Sequence, residues 1–438
     1  MSTKTRWRVG GVAVLCMGIT RLPYALAGGE CDPLFKADST ADVGAGPIFL
    51  AGGDLDGDGD VDLVAANWID ADLSVLLNEG DGLFGRQEIY TAEFGPSSVA
   101  VGDVDGDEDD DLVIANRLSN SVSVLLNDGG GHFADATVHA VGAWPRSVAL
   151  DDLDGDDDLD LAVVHSAGDD AWILFNDGSA GFEVGGTYAV GDNPWSVAIG
   201  DLDGDADGDL AVANSYGGTV TVLLNQGDGT MEDAVTYAAG SGPRSVAIGD
   251  LDGDRDADLA VANLDDQTVS VLMGQGDGTF VEQILYDTGA VPYSVAIGDL
   301  DGDGAADLAV ADFGSDDVTV LLNNGDGTFA APEFFAAGSA PSVAVMADLN
   351  GDGQVDLAVA NFLGNTVSVL LNRCGAACAG DANGDGIVDP LDVGFVASRF
   401  GCPVGTGDPS CDTADQNGDG LVDPLDIGFV MARFGVCP

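Results

Sequence analysis

Positive charge is scarce in this chain: 13 Lys+Arg stand against 76 Asp+Glu in 438 residues, a formal charge of −63. That imbalance excludes nucleic acid and an anionic membrane as electrostatic partners. Histidine is nearly absent, with only His132, His139 and His165, which leaves little for His-based catalysis or a zinc centre. Aromatic residues make up 7% while Gly numbers 65, a balance that suits turn-rich β architecture better than a helical bundle. No apolar run reaches membrane-spanning length; Val9 to Ile19 is too short and Arg21 interrupts it. The shortage of cations does not signal disorder, because 45% of residues are hydrophobic and only 20% charged, enough to build a core.

Lys4, Arg6 and Arg8 precede that short apolar stretch, and Ala25, Leu26 and Ala27 follow it. This is the pattern of an export signal cleaved near Ala27. Cleavage removes four basic residues, taking the charge from −63 to −67, and removes Cys16. Six cysteines then remain in an oxidising compartment, an even count that suggests disulfides.

The body repeats one unit seven times. Asp54, Asp103, Asp152, Asp201, Asp250, Asp299 and Asp348 are each 49 residues apart, a period that marks a propeller or array. In the unit at 245–278, SVAIGDL, DLAVAN and TVSVLM read as three strands separated by turn chemistry. A fourth strand is expected to start at the Phe after the Gly-Asp-Gly turn: Phe84, Phe133, Phe182, Phe280 and Phe329. Four strands per repeat make one propeller blade, so the expected fold is all-β and seven-bladed. The last unit lacks a fourth strand, whereas Phe35 lies one period before Phe84. Residues about 35–44 are therefore expected to complete the seventh blade and close the ring. Cys31 and Cys374 share one phase of the repeat, which predicts a disulfide across the splice.

The acidic cluster of each unit has the spacing of a calcium loop. In the first, Asp54, Asp56, Asp58 and Asp62 hold positions 1, 3, 5 and 9, with Asp60 at position 7 offering its backbone carbonyl. The same five positions recur as Asp103, Asp105, Asp107, Asp109 and Asp111; as Asp152, Asp154, Asp156, Asp158 and Asp160; and as Asp201, Asp203, Asp205, Asp207 and Asp209. They recur again as Asp250, Asp252, Asp254, Asp256 and Asp258; as Asp299, Asp301, Asp303, Ala305 and Asp307; and as Asp348, Asn350, Asp352, Gln354 and Asp356. Carboxylates so closely spaced repel one another unless a hard cation sits among them. Position 4 is always Gly, which allows a tight turn, but position 6 is Gly only at Gly59, Gly304 and Gly353.

The run Asp-Leu-Asp-Gly-Asp-Gly-x-x-Asp-Leu at 54–63 and 299–308 resembles the FG-GAP or VCBS repeat. The resemblance covers roughly 28–373 and implies a seven-bladed propeller, as in integrin α subunits, with calcium in the loop joining strands one and two. From Cys378 the period changes. Asp381, Asn383, Asp385, Ile387, Asp389 and Asp392 fill positions 1, 3, 5, 7, 9 and 12 of an EF-hand loop. Asp415, Asn417, Asp419, Leu421, Asp423 and Asp426 repeat the set 34 residues later. Each loop runs into a short apolar segment expected to be helical, with Leu391, Phe395 and Phe400 near one face. Two such units resemble a type I dockerin, a module that anchors secreted proteins to cohesin partners. Pro390-Leu391 and Pro424-Leu425 stand where such dockerins often carry a Ser-Thr pair. The module's pseudo-twofold implies Cys378–Cys437 and Cys402–Cys411 bridges. The expected organisation is a signal peptide at 1–27, a propeller at 28–373 and a dockerin-like domain at 374–438, with up to nine Ca2+ ions.

Where the repeat departs from itself, a ligand surface can be built. The residue after the turn proline varies: Ile48, Ser97, Arg146, Trp195, Arg244, Tyr293, Ser342. Trp144, Arg146, Trp195, Arg244 and Tyr293 are expected to cluster at the channel mouth opposite the acidic loops and to suit a sugar or an acidic peptide. No paired carboxylates outside the repeats suggest catalysis. The expected protein is a secreted or cell-surface, non-catalytic binding or adhesion scaffold for a glycan or extracellular protein, with a cohesin-like or cell-envelope partner for its tail. A part in polysaccharide degradation and a structural cell-surface role are the alternatives.

Overall fold

The computed structural model describes residues 34–373 except Asp81 and Arg86, together with the backbone of Ile387–Val388 and Gly435–Val436. The chain divides into two compact units, one of which comprises Phe35–Asn372. The other takes in the tail, where Ile387–Val388 pairs antiparallel with Gly435–Val436. The expected export signal, the six cysteines and the remaining tail residues lie outside the described residues.

The first unit is seven four-stranded antiparallel sheets, one per repeat. The first blade runs Pro47–Gly53, Asp62–Asn67, Asp72–Leu76 and Glu88–Thr91. The second strands are buried at every residue, as Ala/Val/Leu-rich segments between two neighbours should be. The outer strand, as in Glu88–Thr91, is mostly exposed. The apolar core lies between blades: Leu50, Leu63 and Leu76 of the first pack with Val343, Val345 and Leu349 of the last.

Ring closure follows the sequence reading. Phe35–Asp42 pairs antiparallel with Thr366–Asn372 and forms the outer strand of the blade that also holds Asp356–Asn361 and Pro341–Ala347. Ser342 Oγ donates to Pro47 O at 2.9 Å, and Asn78 Nδ2 to Leu349 O at 2.8 Å, so the last blade is tied to the first.

The fourth strand differs from expectation. It starts at the Phe in the third blade, at Phe182, and in the seventh, where Phe35 opens the closing strand. Elsewhere Phe84, Phe133, Phe280 and Phe329 form single bridges to the residue two positions past strand three, and the strand proper begins four residues later. The ring acts as a wedge between blades. Phe133 meets Tyr90 edge-on at 5.3 Å and Phe280 meets Tyr237 at 5.3 Å. Phe35 makes the equivalent contact with Phe335, also at 5.3 Å.

Each second strand ends on a buried polar residue. Asn67 Nδ2 donates to Asp72 Oδ1 and Ser74 Oγ, both at 2.8 Å, and Asn116, Asn214, Asn263 and Asn361 repeat the arrangement. The sixth blade has Asp312 instead, fully buried, accepting from Thr319 Oγ1. Burial pushes this carboxyl up to about 7, with the nearby Asp317 charge acting in the same direction. An acid whose folded pKa is raised holds its proton longer when folded, so its penalty grows as pH rises from about 4 to about 7. Asp312→Asn is therefore expected to stabilise the protein by on the order of 2 kcal/mol at pH 8 and by almost nothing at pH 4. Calcium-saturated thermal melts at the two pH values check this; equal effects at both would refute it.

Candidate functional site

The acidic clusters fall on the loops between strands one and two, Asp54–Val61 in the first blade, with position 9 opening strand two. The backbone wraps the position-1 carboxylate: Gly59 N donates to Asp54 Oδ2 at 3.1 Å, and Gly106 N and Glu108 N donate to Asp103 at 2.8 and 3.0 Å. Such a turn needs positive φ at positions 4 and 6. Position 4 is always Gly, but Glu108, Asp157, Ala206 and Arg255 take φ of 72–80° at position 6, a conformation costly for L side chains. Position 9 is wholly buried and held on both oxygens. Asp62 accepts from Leu55 N at 2.9 Å and Asn78 N at 2.7 Å, and all seven blades repeat the pair.

Burial raises the position-9 carboxyls against those hydrogen bonds, to about 7 at Asp62, Asp209, Asp307 and Asp356 and about 6 at Asp111, Asp160 and Asp258. At position 3, Asp56, Asp105 and Asp154 are also raised, first by burial and then by neighbouring aspartates. Among the described residues none of these groups forms an ion pair. One oxygen each of Asp54, Asp105 and Asp154 is buried with no hydrogen-bond partner. Oxygens of Asp54, Asp56 and Asp58 lie within 4.8 Å of one another, as do those of Asp152, Asp154 and Asp160 and of Asp201, Asp203 and Asp209. An all-carboxylate donor set with orphaned oxygens fits a hard divalent cation such as calcium. Position 7 is different: the Asp60 carboxylate lies against Gly80, where a Cβ would come within 2.6 Å of it.

At the other end of strand one, every blade carries the same irregularity. The strand opens on Pro, and pairing with strand two skips the next residue, as between Pro145 and Ser147. Ile48, Ser97, Arg146, Trp195, Arg244, Tyr293 and Ser342 are thus bulge residues, and a bulge re-aims its side chain. All seven line one pocket of about 50 Å³. The Arg146 guanidinium carbon lies 3.3 Å and that of Arg244 3.4 Å from the Trp195 ring centre. Two groups so close to one centroid must occupy opposite faces. Tyr293 sits edge-on to Trp195 at 6.5 Å and stacks on Phe313 at 5.2 Å.

Of the five residues expected at this mouth, Arg146, Trp195, Arg244 and Tyr293 come together. Trp144 is 47% exposed and faces Arg117 instead, with the guanidinium 4.7 Å from its ring. Two features escaped the sequence reading: the bulge, and the Asn that ends strand three. Asn127 Nδ2 bonds Leu55 O of the preceding blade's acidic loop at 2.8 Å, and Asn176, Asn225, Asn323 and Asn372 do likewise. Asn recurring at the 49-residue period was the available signal.

Among solved structures, the chain resembles BBS1N crystallised with ARL6DN (13% identity, 78% of this chain and 98% of that one, TM-score 0.57). It also resembles a virginiamycin B lyase from Staphylococcus aureus (12%, 77% and 97%, 0.52) and a putative 6-phosphogluconolactonase from Bacteroides fragilis (17%, 67% and 85%, 0.51). Identities so low establish a common fold alone. No curated protein matches the chain in sequence. Residues 379–435 match the dockerin type I domain. The FG-GAP-like repeat matches six times, at 54–114, 103–163, 152–212, 204–261, 250–310 and 299–359, and by these the chain belongs to the FG-GAP-like repeat family.

Proposed function

We propose that this is a secreted, calcium-braced binding module that works without catalysis, capturing a glycan or extracellular protein at the channel mouth while its dockerin tail (374–438) docks it to a cohesin-like or cell-envelope partner. Calcium occupies the seven loops through positions 1, 3, 5 and 9, and two further ions the tail. One observation carries the binding reading: a repeat otherwise nearly uniform varies at the residue bulged into the channel, where Arg146, Trp195, Arg244 and Tyr293 meet. Blade packing needs no such variation, whereas recognition does.

The calcium-loaded full chain is expected to bind members of a glycan panel, and Trp195→Ala to weaken that binding by about tenfold or more, the usual cost of losing a central aromatic anchor. Binding unchanged in Trp195→Ala would remove the mouth as the site. Release of reducing sugar from a polysaccharide panel would instead favour a part in polysaccharide degradation.

A further inference from the structure

Three of the seven basic residues between positions 34 and 373 gather at this one end of a very acidic protein. Asp265 acts on Arg244 at longer range, without an ion pair. Among the described residues, no carboxylate forms an ion pair with Arg146 or Arg244. Arg146 Nε, Arg244 Nε and Arg244 Nη1 are buried with no hydrogen-bond partner. Leaving buried cationic donors unpaired is costly unless a ligand completes them.

The pocket floor has the same polarity. Ser147, Ser196, Ser245 and Ser294 line it, and each Oγ accepts a hydrogen bond from a backbone N–H of the next blade, at 3.2–3.4 Å. A hydroxyl that accepts in this way still has its own proton to donate. Among the described residues none of the four donates to a protein acceptor. The pocket therefore presents donors from its walls and its floor, and its natural guest is a group that only accepts. A volume of about 50 Å³ holds one carboxylate and excludes a sugar ring. Outside lie flat apolar surfaces, the stacked Tyr293 and Phe313 with Phe362 beyond at 5.8 Å, suited to the C–H face of a pyranose.

We propose that the mouth binds an acidic sugar, a uronate whose carboxylate sits at the edge of Trp195, within reach of the Arg146 and Arg244 guanidiniums that stack on its two faces, while its ring rests on the aromatic rim. This rests on the reading of the mouth as the binding face. The protein's charge of −63 repels a polyanion at every unit, so the ligand is a terminal uronate on an otherwise neutral glycan. Burial, which lowers the Arg146 pKa to about 9, is eased when an anion arrives.

The test is calorimetric titration of the calcium-loaded full chain with methyl glucuronide, methyl glucoside, sodium acetate and tri-aspartate. The glucuronide is expected to bind at least about tenfold more tightly than each of the others, and Arg244→Gln to abolish that preference with the melting temperature still raised by calcium. The wild-type comparison stands even if the variant fails to fold. Equal binding of glucoside and glucuronide, sensitive to Trp195→Ala, would overturn the acidic-sugar inference and spare the mouth. Tightest binding of tri-aspartate would replace the sugar by an acidic peptide. Glucuronide binding untouched by Arg244→Gln and Trp195→Ala would sink both.

Discussion

Chelating calcium is expected to lower the melting temperature of this protein by on the order of 10–15 °C. An ion that binds only the folded state contributes RT ln(1 + [L]/Kd), about 1.4 kcal/mol per loop at ten times Kd. Seven loops sum to roughly 10 kcal/mol, comparable with the whole stability of an ordinary domain. With an unfolding entropy of about 2.1 cal/mol/K per residue over a propeller of this length, that is a shift of roughly 14 °C. The loops give the ions much to offset: aspartates two residues apart, raised carboxyls at positions 3 and 9, and orphaned oxygens on Asp54, Asp105 and Asp154. Because each loop is bonded to the next blade, as Asn127 is to Leu55 O, losing the ion loosens the seam between blades as well as the loop. Calorimetry in millimolar calcium and in EDTA, with metal content measured on the same sample, checks the claim. Coincident melts, or fewer than about four ions per chain, would overturn it.

What the sequence made legible was whatever recurs locally. The 49-residue period, the alternation of strands and Gly/Asp turns, and Phe35 one period before Phe84 were enough for seven blades and a closure at the N-terminus. The acidic loops were legible because their ligands sit within nine residues of one another. What stayed hidden depends on pairing between distant residues. Asn127 reaches a carbonyl 72 positions away, and no local pattern announces that. The bulge after Pro145 shows only once strand two is laid beside strand one. Variation at the following residue was readable, but its cause, a side chain expelled from the ladder into the channel, was not. The Phe at the head of strand four was misplaced for a related reason. Hydrophobicity marked it as strand, whereas its role is to wedge against the neighbouring blade, as Phe133 does on Tyr90.

Removing the closure strand is expected to turn a closed ring into an associating one. Phe35–Asp42 covers the edge of Thr366–Asn372 along its whole length, and Phe35, 3% exposed, fills the wedge against Phe335. Burying one such ring is worth about 1.5–3 kcal/mol and each ladder hydrogen bond about 1 kcal/mol, against roughly 1–2 kcal/mol per residue for ordering the strand. The net loss in stability on deleting it is therefore modest, a few kcal/mol. The larger consequence is that strand three of the last blade becomes a bare edge with a buried apolar sequence, Val367, Val369 and Leu371, ready to pair with another chain. A chain beginning at Val43 should elute as larger species than one beginning at Gly28, and a peptide spanning 34–44 added in trans should reverse that shift by filling the same edge. Identical elution and melting of the two chains would mean that six complete blades hold the seventh in place without it.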